Sequence, residues 1–506
     1  MGVTGFYKHI FRKYPKCILH DNEQFAGSDL FFDFNSLIHP VIHKVLDSCE
    51  NDEIPYDDLI YNFITDIIKY TDDIIKYVKP KFVFIAIDGV PPRAKMIQQR
   101  LRRYKSERNN LFDTNAISPG TDFMNTLDIY MKKYLKNDLP MFVKKHIYSG
   151  SNQPGEGEHN IIQYIRNKYK KKPRKKILIY GLDADLIMLT MNLHIENIFL
   201  VREIQHFEPN YVQESDDYDL NMNFLSIEIL KDSLIQNTEE LYKIRFKCEV
   251  SFVSDFIFLC FLLGNDFLPH LKAIDIYNNG INVLLKIYCN ILKKTKQNYN
   301  EYIVINKNNK YELNIIFLKQ LFNNICKEEE NLIYHNISNN KKKRIHLDDY
   351  PIKYNNKNWK NRYYDYFYRT YDPIYINNIC ENYFKTLIWN MKYYFDKCPC
   401  WKHYYKYKGV LVQDLYNYIK FNNINNITFE ENKPYTVNQQ LMLILPPTSK
   451  DLVPEAYRNL MTDEKSELIF YYPTTFALEV MDKHFEWMHE PILPNIDDDI
   501  ILQHII

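Results

Sequence analysis

The sequence contains no run of about 18 apolar residues, so no membrane-spanning helix is expected. Its nine cysteines follow no disulfide or zinc framework. Only Cys398 and Cys400 sit close together, and no second Cys or His pair completes a tetrahedral set. The odd count and the missing secretory leader point to a reducing compartment. Net charge is also absent: 64 basic and 64 acidic residues cancel. The total therefore carries no polyanion-binding signature, although a carboxylate-lined site could offset a basic one nearby. No internal repeat is present. With 506 residues, 46% of them hydrophobic, the chain is long and apolar enough for two or more packed units. Its 42 tyrosines and 31 phenylalanines accompany abundant Ile, Asn and Lys. That bias fits AT-rich coding, so the tyrosines are not read as stacking platforms.

Three short apolar segments read as buried strands: 29–34, ending at Asp33; 81–87, followed by Asp88; and 176–180, followed by Gly181, Asp183 and Asp185. Helical apolar periodicity occupies 56–78, 121–135 and 252–263. Apolar strands alternating with helices predict a mainly parallel sheet covered on both faces, where ligands gather at the carboxyl ends of strands. From about 296 to 360 the chain turns rich in Asn and Lys and includes Lys341-Lys342-Lys343-Arg344, read as a solvated loop within an insertion or linker, with a nuclear address or an RNA contact as the alternatives. Residues 361–430 read as helical and Tyr-rich, and the tail from 434 as loop-rich.

Seven acids fall where an apolar element ends or beside a glycine-rich turn: Asp33, Asp88, Glu156, Glu158, Asp183, Asp185 and Asp266. Gathering them would be strongly unfavourable without cations. Oxygen-only donors select Mg²⁺ or Mn²⁺, and two such ions can hydrolyse a phosphodiester. Taken singly, each acid has an ordinary reading as a turn residue or helix cap, as Asp185 would before Leu186. Asp255 precedes Asp266 by eleven residues, about three helical turns, so the two could share a helix face. Asp255 reads as a surface or supporting acid.

Beyond Asp88, Pro91 and Pro92 suit a helix start. Lys95, Gln99 and Arg102 then fall at i, i+4 and i+7, with Arg103 adjacent. Two cations, a guanidinium fork and an amide on one face suit a terminal phosphate. A solvated basic helix face is the alternative.

These segments resemble the XRN family of 5′→3′ exoribonucleases. The opening Met1 to Tyr7, Phe32 to His39, Ile87 to Arg100, Ser118 to Met124, Pro154 to His159, Tyr180 to Met188 and Leu263 to His270 follow the family's motifs in order. Cys398 to Tyr405, Gln440 to Pro446, Pro454 to Arg458 and Leu460 to Asp463 continue them. Thr4, Ser36, Cys400 and His403 depart from the usual Pro, Gly, Ser and Trp. The resemblance implies an α/β fold with a twisted, mainly parallel sheet of the PIN and flap-nuclease type, flanked by helices. A mostly helical C-terminal part would pack against it. Residues 1–295 would form the nuclease core, 296–360 a variable insertion or linker, and 361–506 a second region completing the active-site channel. The seven acids would hold two Mg²⁺ ions, with Mn²⁺ able to substitute, and Lys95, Gln99, Arg102 and Arg103 would bind a 5′-phosphate. His39 would stack on the terminal base opposite Trp401, with Trp389 the alternative. The implied activity is processive hydrolysis of 5′-monophosphorylated single-stranded RNA to nucleoside 5′-monophosphates in RNA decay. The chain reads as a compact, monomeric, cytoplasmic member from an AT-rich source such as a giant DNA virus or protist. It lacks the long C-terminal additions of cytoplasmic members and the zinc knuckle of nuclear ones. A flap endonuclease and a silent RNA-binding scaffold are the rival readings.

Overall fold

The computed structural model describes residues 3, 5–49, 54–106, 111–204, 220–307, 310–339, 351–354, 356–481 and 483–505. Lys341 to Arg344 and, in the opening motif, Met1, Gly2 and Thr4 lie outside the described residues. Composition drew boundaries at 295 and 360. By contacts the chain gathers into two compact units, each drawn from three segments: 15–230 with 433–479 and 490–506, and 1–14 with 231–432 and 480–489.

The first unit is built on a seven-stranded sheet: β1 (Ile18–Leu19), β2 (Asp29–Asp33), β3 (Phe82–Ala86), β4 (Lys145–Ser149), β5 (Ile177–Tyr180), β6 (Ile198–Glu203) and β7 (Met222–Ser226). Their spatial order is β1-β7-β6-β5-β2-β3-β4. The five strands from β6 to β4 run parallel, and β7 and β1 add an antiparallel edge. This is the mainly parallel sheet expected from the sequence. Every residue of β2 and β3 is buried, which is why they read as continuous apolar runs rather than alternating ones. Leu30, Phe32, Val83 and Ile85 face a core shared with helices Asn35–Ser48, Tyr56–Val78 and Asp122–Asn137. On the other face, Phe31 and Phe84 meet Tyr164 of helix Gly157–Lys168, with ring centroids 5.9 and 5.0 Å away.

The C-terminal segments of this unit are fastened to helix Arg93–Lys105. Arg93 is fully buried, and its Nε donates to both carboxylate oxygens of Asp498 at 2.9 Å. The Tyr435 hydroxyl donates to the same carboxylate at 2.7 Å. Seven residues on, Arg100 donates to the carbonyls of Pro494 and Tyr471. Met96, between them, packs among Leu441, Leu443 and Ile444. Asp498→Ala would remove the carboxylate that a buried guanidinium pairs with. It is expected to lower the unfolding free energy by about 3 kcal/mol, read as a lower urea midpoint.

The second unit is mostly helical. Asp255 lies inside helix Glu249–Phe261 and is fully buried. Its carboxylate accepts from the Tyr288 hydroxyl at 2.8 Å and from the backbone N–H groups of Ile303 and Val304 at 2.8 and 2.7 Å. It is therefore no surface acid: it anchors the entry to a hairpin, Val304–Lys307 with Lys310–Leu313. Nor does it share a helix face with Asp266, because the helix ends at Phe261. The stretch read as an insertion or linker carries that hairpin and the helix Ile315–Ser338, which buries Phe317, Leu321, Phe322 and Ile325. Glu329 of this helix accepts the N–H groups of Val412 and Gln413, at the start of helix Val412–Phe421. Residues 361–430, read as helical, hold Pro373–Phe395 and Val412–Phe421. Among the described residues, no helix is long and apolar enough to cross a membrane.

Candidate active site

Because β5, β2 and β3 are adjacent and parallel, their carboxyl ends lie side by side. Asp33 closes β2, Asp88 follows β3, and Asp183 and Asp185 follow β5. Glu156 directly precedes helix Gly157–Lys168, and Glu158 lies in its first turn. The Asp88 Oδ1 accepts the Gly157 N–H at 2.7 Å, at the positive end of that helix. A Cβ at position 157 would stand 2.7 Å from the Ala86 carbonyl oxygen, so only glycine lets the helix start this close to β3.

Charge effects tie six of the seven predicted acids into one group. Burial and then the charges of Asp88 and Asp183 hold the Asp33 carboxyl well above its ordinary range. Burial and then Glu156 push Asp88 up to about 6, against the pull of the Gly157 N–H. Burial, Asp185 and Glu156 act the same way on Glu158. Glu158 Oε2 is buried with no hydrogen-bond partner among the described residues. Glu156, Glu158 and His159 place ligand atoms within 4.8 Å of one another. Burial holds the His159 imidazole down at about 4, so at neutral pH it is uncharged and able to ligate. An orphaned carboxylate oxygen in a dense set of hard donors fits a divalent cation. His159 was not singled out from the sequence. Its signal was its place directly after the Glu-Gly-Glu run, on the same first helical turn.

The basic face of helix Arg93–Lys105 borders this cluster. Lys95 Nζ lies 2.6 Å from Glu156 Oε2, so the lysine expected at a phosphate also neutralises the acids. Gln99 is buried, and its Oε1 has no hydrogen-bond partner among the described residues. Arg103 is buried too, and burial and then Arg102 lower its pKa to about 9. It makes long bonds to Asn115 Oδ1 and the Ile117 carbonyl, at 3.4 and 3.3 Å, and its Nε has no partner among the described residues. Arg102 is exposed. A buried guanidinium beside a second one calls for an anion. His39 is half-buried next to both arginines and also feels Asp183, and burial first holds its imidazole down at about 3.

Two predicted residues belong to the other compact unit. Asp266 is half-buried in the turn after Gly264, where Asn265 Oδ1 accepts the N–H groups of Phe267 and Leu268. Trp401 is half-buried in a turn, its backbone N–H donating to Asn432 Oδ1 at 2.7 Å. Trp389, the alternative, is fully enclosed: its indole N–H donates to the Cys400 carbonyl at 2.8 Å and its ring stacks on Tyr393. His403 is buried, with Nε2 2.9 Å from Thr386 Oγ1.

Comparison with known proteins gives this arrangement its context. The family model described as "XRN 5′-3′ exonuclease N-terminus" matches residues 1–111 and 106–204. The one described as "Xrn1 helical domain" matches 246–350 and 320–506, more than half of the chain. The chain belongs to the XRN family. Among curated XRN proteins, it is 28% identical to human 5′-3′ exoribonuclease 1 over 99% of this chain and 34% of the relative. It is 27% identical to 5′-3′ exoribonuclease 1 of Schizosaccharomyces pombe, over 98% and 48%. It is 25% identical to the 5′-3′ exoribonuclease 2 homolog of Drosophila melanogaster, over 100% and 71%. The chain thus spans about a third of the human XRN protein and about half of the fission-yeast one. The match to the N-terminal family model takes in every strand from β1 to β6 and all six clustered acids.

Proposed function

We propose that this chain is a processive 5′→3′ exoribonuclease acting on 5′-monophosphorylated single-stranded RNA in RNA decay. The observation that carries the reading is the juxtaposition of a buried carboxylate cluster with a buried, under-bonded guanidinium, bridged by the Lys95–Glu156 ion pair. Asp33, Asp88, Glu156, Glu158, Asp183 and Asp185 would hold two Mg²⁺ ions, and Mn²⁺ would substitute. Such ions, when bound, supply water activation and charge neutralisation at a phosphodiester.

The chain's own residues do the positioning. Arg103, Arg102, Gln99 and Lys95 grip the terminal phosphate, while His39 stacks on the first base. Water attacks the second phosphorus, its bond to O3′ of the first nucleotide breaks, and a nucleoside 5′-monophosphate leaves. The shortened RNA carries a new 5′-phosphate, which re-enters the same pocket, so the enzyme need not release its substrate between cuts. A monomer in the cytoplasm suffices for this activity.

The test is digestion of a 5′-monophosphorylated single-stranded RNA in Mg²⁺ beside its 5′-triphosphorylated twin. Conversion of only the first to mononucleotides is the expected result. Equal digestion of both would overturn the phosphate-pocket assignment, and no digestion by folded protein would favour an RNA-binding scaffold.

A further inference from the structure

The first turn of helix Asn35–Ser48 touches the ends of all three strands that carry the clustered acids. Asn35 Oδ1 accepts the backbone N–H of Asp88 at 3.0 Å, tying the turn to the end of β3. Ser36 makes two bonds through one oxygen. Its hydroxyl donates to Asp33 Oδ2 at 2.7 Å and accepts the N–H of Leu182 at 3.1 Å. Leu182 directly precedes Asp183, and its carbonyl is held in turn by Arg202 at 3.1 Å. The loop after β5 is also close to Asp33 itself: a Cβ on Gly181 would stand 3.3 Å from the Asp33 Cβ. Ser36 is a position where this chain departs from the family's usual glycine, which could make neither bond.

We propose that Ser36 is a positioning residue that fixes Asp33 relative to the Asp183 loop and so pre-forms the divalent-cation site. A carboxylate on a short side chain rotates about two torsions. A donor on Oδ2 selects one rotamer and leaves Oδ1 available to a cation. The same hydroxyl, by accepting from Leu182, sets the separation between the β2 and β5 ends. Without it, the mutual repulsion of Asp33 and Asp183 would splay the two carboxylates apart, and a cation would have to draw them together on binding. Outer partners of this kind orient ligands, and losing one commonly weakens metal binding by roughly tenfold or more. The inference rests on the proposed function for the identity of the ion, but its readout does not require catalysis.

The experiment is calorimetric titration of Mn²⁺ into the full-length, metal-stripped protein without RNA, for wild type, Ser36→Ala, Ser36→Gly and Ser36→Thr. Melting temperatures in chelator are recorded alongside. Ser36→Ala and Ser36→Gly are expected to raise the Kd for Mn²⁺ about tenfold. Ser36→Thr, which keeps the hydroxyl, should remain within about twofold of wild type by the same reasoning. Binding of a 5′-monophosphorylated oligonucleotide in chelator should not change. Ala and Gly variants with wild-type Mn²⁺ affinity would overturn the proposal. So would loss of affinity in all three variants in proportion to lowered melting temperature, which marks general destabilisation. A wild type that binds Mn²⁺ in a Ser36-dependent way but degrades no RNA would leave this inference standing and remove the proposed function. A wild type that binds no Mn²⁺ would remove both.

Discussion

Replacing Asp183 and Asp185 together by alanine is expected to lower the rate of RNA degradation on the order of 10³-fold or more, the scale of losing electrostatic stabilisation at a transition state. The effect should be confined to chemistry. The clustered acids lie beside the cationic pocket, linked to it by Lys95 and Glu156. Removing two negative charges near Arg102 and Arg103 cannot weaken their attraction for a phosphate. In chelator, the double variant should therefore bind a 5′-monophosphorylated oligonucleotide at least as tightly as wild type. Single-turnover degradation and equilibrium binding, measured on the same preparations, separate the two. Activity within about tenfold of wild type would mean that these acids are helix-start residues and not part of the reaction.

The second large effect concerns pH. Asp88 has its pKa raised from 3.8 to about 6 by burial and then by Glu156. Between those values the folded protein keeps a proton that the unfolded chain has shed. Its contribution to stability is therefore lost as pH rises through this window. A displacement of that size is worth about 2–3 kcal/mol. His39 and His159 act in the opposite sense, because burial holds them neutral at about 3 and 4 while the unfolded chain still carries protons on them. The comparison must therefore be wild type against Asp88→Asn, where the histidines cancel. In chelator, raising pH from 4 to 7 should shift the stability difference against wild type by about 2–3 kcal/mol. Saturating Mg²⁺ at pH 7 should restore it, since a ligand that binds only the folded state adds stability by mass action. A difference that does not change with pH would show that Asp88 is not under electrostatic stress.

These expectations draw on features that differed in how openly the sequence displayed them. β2, β3 and β5 were legible because central parallel strands are buried on both faces and read as unbroken apolar runs. Their adjacent carboxyl ends then followed from topology, and with them the meeting of Asp33, Asp88, Asp183 and Asp185. Helix Arg93–Lys105 was harder. Its periodicity marked Lys95, Gln99 and Arg102 as one face but gave no sign that Arg93 and Arg100 serve a different purpose. That depends on Asp498, Pro494 and Tyr471, which local pattern cannot reach. Asp255 looked like a companion of Asp266 because eleven residues make three turns of an ideal helix, but the helix stops at Phe261. Ser36 carried only the mark of a departure from a family pattern. Its two bonds depend on how closely β5 approaches β2.

The bond between Arg93 and Asp498 spans 405 positions of the chain. A ribosome adding about 5–20 residues per second would make the two partners roughly 20–80 s apart. Throughout that interval Arg93 lacks the Asp498 carboxylate, and for most of it Arg100 lacks the carbonyls of Tyr471 and Pro494. A nascent chain would thus emerge with its basic helix only partly packed, and the buried ion pair could close only once residue 498 had been made.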